Sequence, residues 1–212
     1  MPSSYIVTVP PSVEPITLTE AKQHLRVDFD DEDFTIANII TRARSYAETI
    51  TSRALATQTI QQVFTLSRPR GGAVSGPMEE GPNWYVYQQQ LGANPFGPAM
   101  FYFDLAAPPA QSLTTVEYRI TIFDAYAPFT GVYQLDNNYE PARLYFQDPP
   151  TANEWRFTFV AGYSASYQIT PVLKQPILEL IAYFYQYRES AGNPAQFQEI
   201  QNKLLAKRVD WI

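Results

Sequence analysis

Residues 170–190, "TPVLKQPILELIAYFYQYRES", constrain the fold of this chain more than any other stretch. The segment reads as a helix, with Thr170 as a cap and Pro171 at the first helical position, where a missing N–H costs nothing. With residues spaced about 100° apart around the axis, Val172, Leu173, Ile177, Leu178, Leu180, Ile181, Tyr183, Phe184, Tyr185 and Tyr187 cover an arc of about 240°. An ordinary surface helix carries an apolar stripe of roughly 100°. Only Gln175, Glu179, Ala182 and Gln186 form a polar strip. Such a helix either lies at the centre of a large domain or is shared between its own domain and another chain. Pro176 removes the bond to the Val172 carbonyl and predicts a kink after the first turn, at a cost of about 3 kcal/mol if nothing compensates.

The flanking sequence supplies the remaining elements. "PITLTEAKQHLRV" opens a helix on a Thr17-x-x-Glu20 capping pattern, with Leu18, Ala21 and Leu25 at helical spacing. "DFDDED" interrupts it, and Asp30 or Asp31 is placed to cap the next helix. That helix runs from Phe34 to about Ser52 on an apolar series stepping by three or four, so residues 17–55 are expected to form a helical hairpin. From "ALATQTIQQVFTL" the period changes to alternation, which marks a strand. "MFYFDL", "TTVEYRITIFD", "GVYQLD", "ARLYFQ" and "EWRFTFVAGY" follow as short strands between Pro, Gly, Asn and Asp clusters, the pattern of a small antiparallel sheet, sandwich or barrel. Residues 67–99 hold six of the nine glycines and five prolines and read as a long loop, with a short hairpin at "NWYVYQQ". Past "ESAGNP", a last helix carries Phe197, Ile200, Leu204 and Trp211 on one face. The expected class is α+β: residues 1–58 and 169–212 form a helical bundle, and residues 59–168 form an inserted antiparallel β domain.

Composition narrows the function. The net charge of -6 argues against a protein that grips nucleic acid through clustered Lys and Arg, although passive enclosure of DNA remains open. The absence of cysteine excludes disulfides, cysteine-ligated zinc and a cysteine nucleophile, and suits a reducing compartment. The start, "MPSSYIVTVPPSVEP", lacks a basic-then-apolar leader and no long uninterrupted apolar run occurs, so the chain reads as cytosolic rather than membrane-spanning. The 15 tyrosines and 13 phenylalanines suit either an interface or an aromatic β core.

No catalytic, cofactor or metal constellation emerges. The one histidine, His24, has no nucleophile elbow to serve and reads as a helix-surface residue. Asp28-x-Asp30-x-Glu32 resembles the start of a calcium loop. The loop's required glycine and its bidentate glutamate would fall at Asp33 and Ile39, so a helix-capping acidic turn is the better reading. Gly71, Gly72 and Gly76 lack the ending of a phosphate loop. Glu79 and Glu80 are a carboxylate pair of the kind that chance supplies in an acidic chain, and a carboxylate-dependent hydrolase built on them is the weakest alternative.

The order of several signals resembles a known family. "EPITLTEAKQHLRVDFDDEDFTIANIITRARSYAETITSRAL" with its following "TQT" is similar to the opening of bacteriophage head-to-tail connector (adaptor) proteins. "SLTTVEYRI", "FTFVAGYSASYQITPVLKQPILELIAYFYQYRES" and "LLAKRV" match the same family's strand, long helix and closing segment in the right order. Pro176 departs from the alanine favoured there, and residues 67–99 have no counterpart in length or composition.

The resemblance implies a structural, non-enzymatic adaptor of the virion neck, made in the host bacterial cytoplasm. It would form a ring of about twelve identical subunits, as closed symmetry allows, between the portal protein and a downstream neck or tail protein. DNA would pass through the lumen without sequence-specific binding, and no membrane or cofactor is involved. On this reading the broad arc of the 170–190 helix is shared, with Ile177, Leu180, Tyr183, Phe184 and Tyr187 as the subunit interface. The C-terminal tip, Leu204, Leu205, Lys207, Arg208, Val209, Trp211 and Ile212, is expected to bind the portal, unless Trp211 and Ile212 fold back on their own bundle. Trp84, Tyr85, Tyr87 and Phe96 of the loop would contact a neighbour or the next tail component, or stack within a flap. Asp28, Asp30 and Asp31 would line the channel and let DNA slide. A carbohydrate- or receptor-binding β module of a phage particle is the alternative that would use the same aromatics.

Overall fold

The computed structural model describes residues 4–65, 101–164, 168–188, 190 and 192–209. The expectations for residues 67–99, including the hairpin at "NWYVYQQ" and the contacts of Trp84, Tyr85, Tyr87 and Phe96, lie outside the described residues, as do Trp211 and Ile212. The elements run β1 (Ser4–Val9), α1 (Leu18–Leu25), α2 (Asp33–Thr51), β2 (Gln58–Thr65), β3 (Phe101–Asp104), β4 (Ala110–Arg119), β5 (Ala127–Pro128), β6 (Tyr133–Asp136), β7 (Arg143–Phe146), β8 (Glu154–Ala161), α3 (Pro171–Gln186) and α4 (Pro194–Leu205). The chain is α+β and divides into two compact units. One comprises residues 1–8, 59–106 and 110–160; the other comprises 9–58, 107–109 and 161–212. The start of the chain therefore belongs with the strands rather than with the helices expected for 1–58.

In the helical unit, the Thr17 capping box forms as anticipated. The Thr17 hydroxyl accepts from the Glu20 amide, and the Glu20 carboxylate accepts from the Thr17 amide at 3.0 Å. A left-handed Arg26 stops α1. The expected cap of α2 differs: Glu32 occupies the cap position and makes no side-chain capping bond, while Lys22 holds the Asp30 and Asp33 carboxylates at 2.6 and 2.7 Å. The helix α3 runs on through a buried Pro176. Asn193 caps α4 by accepting from the Ala195 and Gln196 amides.

One continuous core holds the four helices. Ile16, Ala21, Ile36, Ile40, Ala43, Ala47, Leu55, Ile177, Leu180, Ile181, Ile200 and Leu204 are all buried in it. Burying a side chain of the Leu or Ile type contributes about 1.5–3 kcal/mol relative to exposure. Tyr46, Tyr183, Phe184 and Phe197 add a cluster of ring contacts, with Tyr183 and Phe197 centroids 5.1 Å apart. The broad arc of α3 has thus found α1, α2 and α4 on its several sides. Of the two settings that the arc allowed, α3 occupies the centre of its own unit.

The strand unit is built from two sheets. The larger has the order β1-β2-β8-β4-β5 and the smaller β3-β7-β6. β7 pairs antiparallel with both β3 and β6, and β4 with β5. Alternation along β8 sends Trp155, Phe157 and Phe159 inward, all fully buried. Phe103 and Phe146 of the smaller sheet meet Trp155 with centroids 5.9 and 5.0 Å away, so aromatic contacts join the two sheets. Gln62 is fully buried on β2, and its amide is satisfied: the oxygen accepts from the Ala106 amide at 2.8 Å and the nitrogen donates to the Asp104 carbonyl. Two strands were not legible in the sequence, β1 and the two-residue β5. The expected strand "TTVEYRITIFD" ends early, at Arg119. Beyond it the Asp124 carboxylate accepts from the Thr121 amide and closes a turn.

Candidate assembly surfaces

The proposed subunit-interface residues are corrected by burial. Ile177 and Leu180 are 0% exposed, Tyr183 and Phe184 are each 7% exposed, and Tyr187 is half-buried against the same core. The Arg42 guanidinium covers the Phe184 ring at 4.0 Å. Ile177, Leu180, Tyr183 and Phe184 therefore have almost no surface to offer a neighbouring copy, while Tyr187 keeps part of its own; periodicity cannot tell a neighbour in the same chain from one in another.

The C-terminal tip is corrected in part. Leu204 is sealed in the helical core and Val209 is buried, with its amide donating to the Thr51 carbonyl at 3.0 Å. The Lys207 carbonyl accepts from the Arg53 guanidinium. Leu205 and Arg208 remain exposed, and Lys207 is half-buried. Residues 204–209 are therefore largely fastened to the end of α2. Asp28, Asp30 and Asp31 are exposed on the α1–α2 connection, as channel lining would require, but Lys22 neutralises Asp30 locally.

Among the described residues, exposed apolar side chains stand out elsewhere, three groups of them bearing on assembly. On β1, Ile6, Val7 and Val9 stand 46–59% exposed, and β1 is a terminal strand of the larger sheet. On the β4–β5 turn, Ile120, Ile122 and Phe123 are exposed, Phe123 to 95%. Around the α1–α2 connection, Phe29 and Phe34 project among the acidic residues. None of the three was singled out from the sequence. Lone exposed apolar residues are ordinary, but clusters of this kind mark contact surfaces.

Ionic links stiffen both units. In the helical unit, Lys174 of α3 bonds Glu20 of α1 and holds its carboxyl below the usual range. Tyr185 and Arg188 bond Glu32 with the same effect, the Tyr185 bond being the larger cause. Glu48 departs upward because it is buried, even though it accepts from the Leu55 amide at 2.9 Å and pairs with Arg44. In the strand unit, burial pushes Glu154 up, but bonds from Tyr126, Thr65 and Arg119 outweigh it and leave its carboxyl low. Arg156 clamps Glu117 with two bonds of 2.9 Å and lies over the Tyr126 ring at 3.7 Å.

A cavity of about 490 Å³ in the helical unit is lined by Ser12, Val13, Glu14, Leu55, Ile169, Lys174 and their neighbours. Its charged groups are engaged: Glu14 binds Thr41 and Arg44, and Lys174 binds Glu20. Among the described residues no group of His, Asp or Glu is arranged to hold a metal ion, and no helix is long and apolar enough to cross a membrane. His24 lies exposed on α1.

Residues 15–70 match the family model of phage gp6-like head-tail connector proteins. Solved structures extend the likeness to the whole chain. A protein of the "Neck of empty GTA particle computed with C6 symmetry" superposes with a TM-score of 0.64 at 16% identity, covering 100% of this chain and 97% of that one. Chains from the "Virion of native gene transfer agent (GTA) particle" and the "Neck of native GTA particle computed with C12 symmetry" give 0.62 and 0.59, each at 18% identity with 100% and 98% coverage. No curated protein sequence matches closely enough to count as a relative. The resemblance to phage head-to-tail connectors is borne out by the family model over α1, α2 and β2, and the fold is similar over the full length to that of chains from these particles.

Proposed function

We propose that the chain is a structural head-to-tail adaptor of a tailed bacteriophage or a related particle. It forms a ring that docks on the portal and extends the DNA channel toward the tail. The observation that carries this reading is the coincidence of two likenesses: a connector family match over residues 15–70 and a neck-protein fold covering 100% of this chain and 97% of its counterpart.

The C12 symmetry of a similar neck supports a ring of about twelve copies. Portal contact falls to Leu205 and Arg208 with Trp211 and Ile212, because Leu204 and Val209 are committed to their own core. The exposed Asp28 and Asp31 face the lumen and repel passing DNA. The strand unit and residues 67–99 meet the next neck or tail component. The helical segments at both chain ends form the bundle into which the β domain is inserted, with assembly in the virion neck after synthesis in the host cytoplasm.

The test is co-sedimentation with purified portal rings. The full chain is expected to co-sediment, and a chain lacking residues 210–212 to bind at least about tenfold more weakly. Removal of 204–212 would be a poorer test, because it also strips Leu204 and Val209 from the core. A full chain that stays in the supernatant overturns the reading. Unchanged binding by the truncated chain removes only the portal assignment.

A further inference from the structure

We propose that the β4–β5 turn of one subunit seats against β1 of the next copy of this chain, forming a head-to-tail contact within the ring. The inference rests on the ring reading above and names the surfaces that close it. A cyclic ring cannot be built from one self-complementary patch; each subunit must carry two different patches that fit one another. The strand unit carries two such patches at opposite ends of one sheet. The order β1-β2-β8-β4-β5 puts β1 at one edge and the β4–β5 turn at the other. Four strand spacings separate them, roughly 19 Å at the usual inter-strand distance.

The two patches match in chemistry. On β1, Ile6 and Val7 are 59% and 46% exposed, and no charged residue occurs from Ser4 to Val13. On the turn, Ile120, Ile122 and Phe123 are 59%, 66% and 95% exposed. The turn is also fixed in shape. The Arg119 guanidinium donates to the Ile122 carbonyl at 3.0 Å, and the Asp124 carboxylate accepts from the Thr121 amide at 2.7 Å. A large aromatic ring held out in solvent by a closed turn is a preorganised anchor, because little freedom remains to be lost when it is buried. Among the described residues β1 ends its sheet, and an apolar strand in that place invites association unless a charge or proline protects it; neither occurs within Ser4–Val9. Two small apolar patches need not hold a dimer by themselves, because ring closure makes each contact partly intramolecular.

The chain's lack of cysteine makes cross-linking a clean test. In rings assembled on purified portal, the double variant Ile6→Cys with Phe123→Cys is expected to give a ladder of oxidised oligomers extending to the full ring. Each single variant alone is expected to stay monomeric on a non-reducing gel, and a mixture of the two singles to stop at dimers. Phe123→Asp alters a fully exposed position, so it should leave the monomer folded by circular dichroism while lowering ring yield at least about tenfold. Wild-type rings that form normally alongside a Phe123→Asp protein that assembles equally well would overturn this contact and leave the adaptor reading standing. Cross-linking of Ile6→Cys to itself would replace the head-to-tail contact with a two-fold one and overturn it too. A wild-type chain that makes no ring on portal would overturn both.

Discussion

Single residues decide how firmly each unit is held. Gly162 has a backbone φ of +101°, and a Cβ there would lie 2.0 Å from the Ala56 carbonyl oxygen. Its amide also donates to the Pro109 carbonyl at 2.8 Å. Gly162→Ala therefore meets both strain and backbone overlap, and is expected to cost about 2 kcal/mol or more in urea unfolding. Glu154→Gln removes the charge that Arg119 and Tyr126 address in a buried corner of the strand unit, with an expected loss of about 2–3 kcal/mol at neutral pH. Acid should act through Glu20 and Glu32. Their folded-state pKa values lie below the ordinary one, so the unfolded chain takes up protons first as the pH falls. The stability they contribute is complete above the ordinary carboxylate pKa and disappears as the pH drops through the lowered folded values. Glu48 has the opposite sign: its raised pKa makes stability decline as the pH rises from the ordinary value through the folded one. A melting-temperature profile should thus fall on the acid side in wild type, and fall less steeply there in Glu20→Gln.

At the scale of elements, the helices were legible because their signals are local. Thr17 and Glu20 lie within one turn, and the Thr17→Ala variant is expected to cost about 1 kcal/mol through the lost cap. The alternation of β8 was legible for the same reason, since Trp155, Phe157 and Phe159 fall on one face. Sequence could not assign partners. The arc of α3 was correctly read as too broad for a surface helix, but it is filled by α1, α2 and α4 rather than by another copy. The contacts that decide this join residues about 150 positions apart, such as Lys174 with Glu20 and Tyr185 with Glu32. Leu180→Ala should accordingly lower monomer stability by about 2–5 kcal/mol, a core effect. A variant that kept full monomer stability and lost only assembly would restore Leu180 to an interface. The exposed turn at Ile120–Phe123 was misread because its residues are strand formers, and β propensity does not record the Asp124 bond that turns the chain.

At the scale of the whole molecule, surplus apolar surface is the physical link between the fold and a collective role. A chain that seals Ile177, Leu180 and Ile181 of its broadest apolar helix in its own core, yet leaves Ile6, Val7, Ile122 and Phe123 in solvent, has apolar surface to offer another molecule. In the ring proposed above, further copies of the chain are the occupant of that surface. The most direct measurement is the mass of the particle formed when the purified chain is mixed with portal rings, read by mass photometry. A single heavier species, gaining the mass of about twelve copies of the 24.1 kDa chain, is the predicted result. Portal at unchanged mass beside free 24.1 kDa monomer would contradict it.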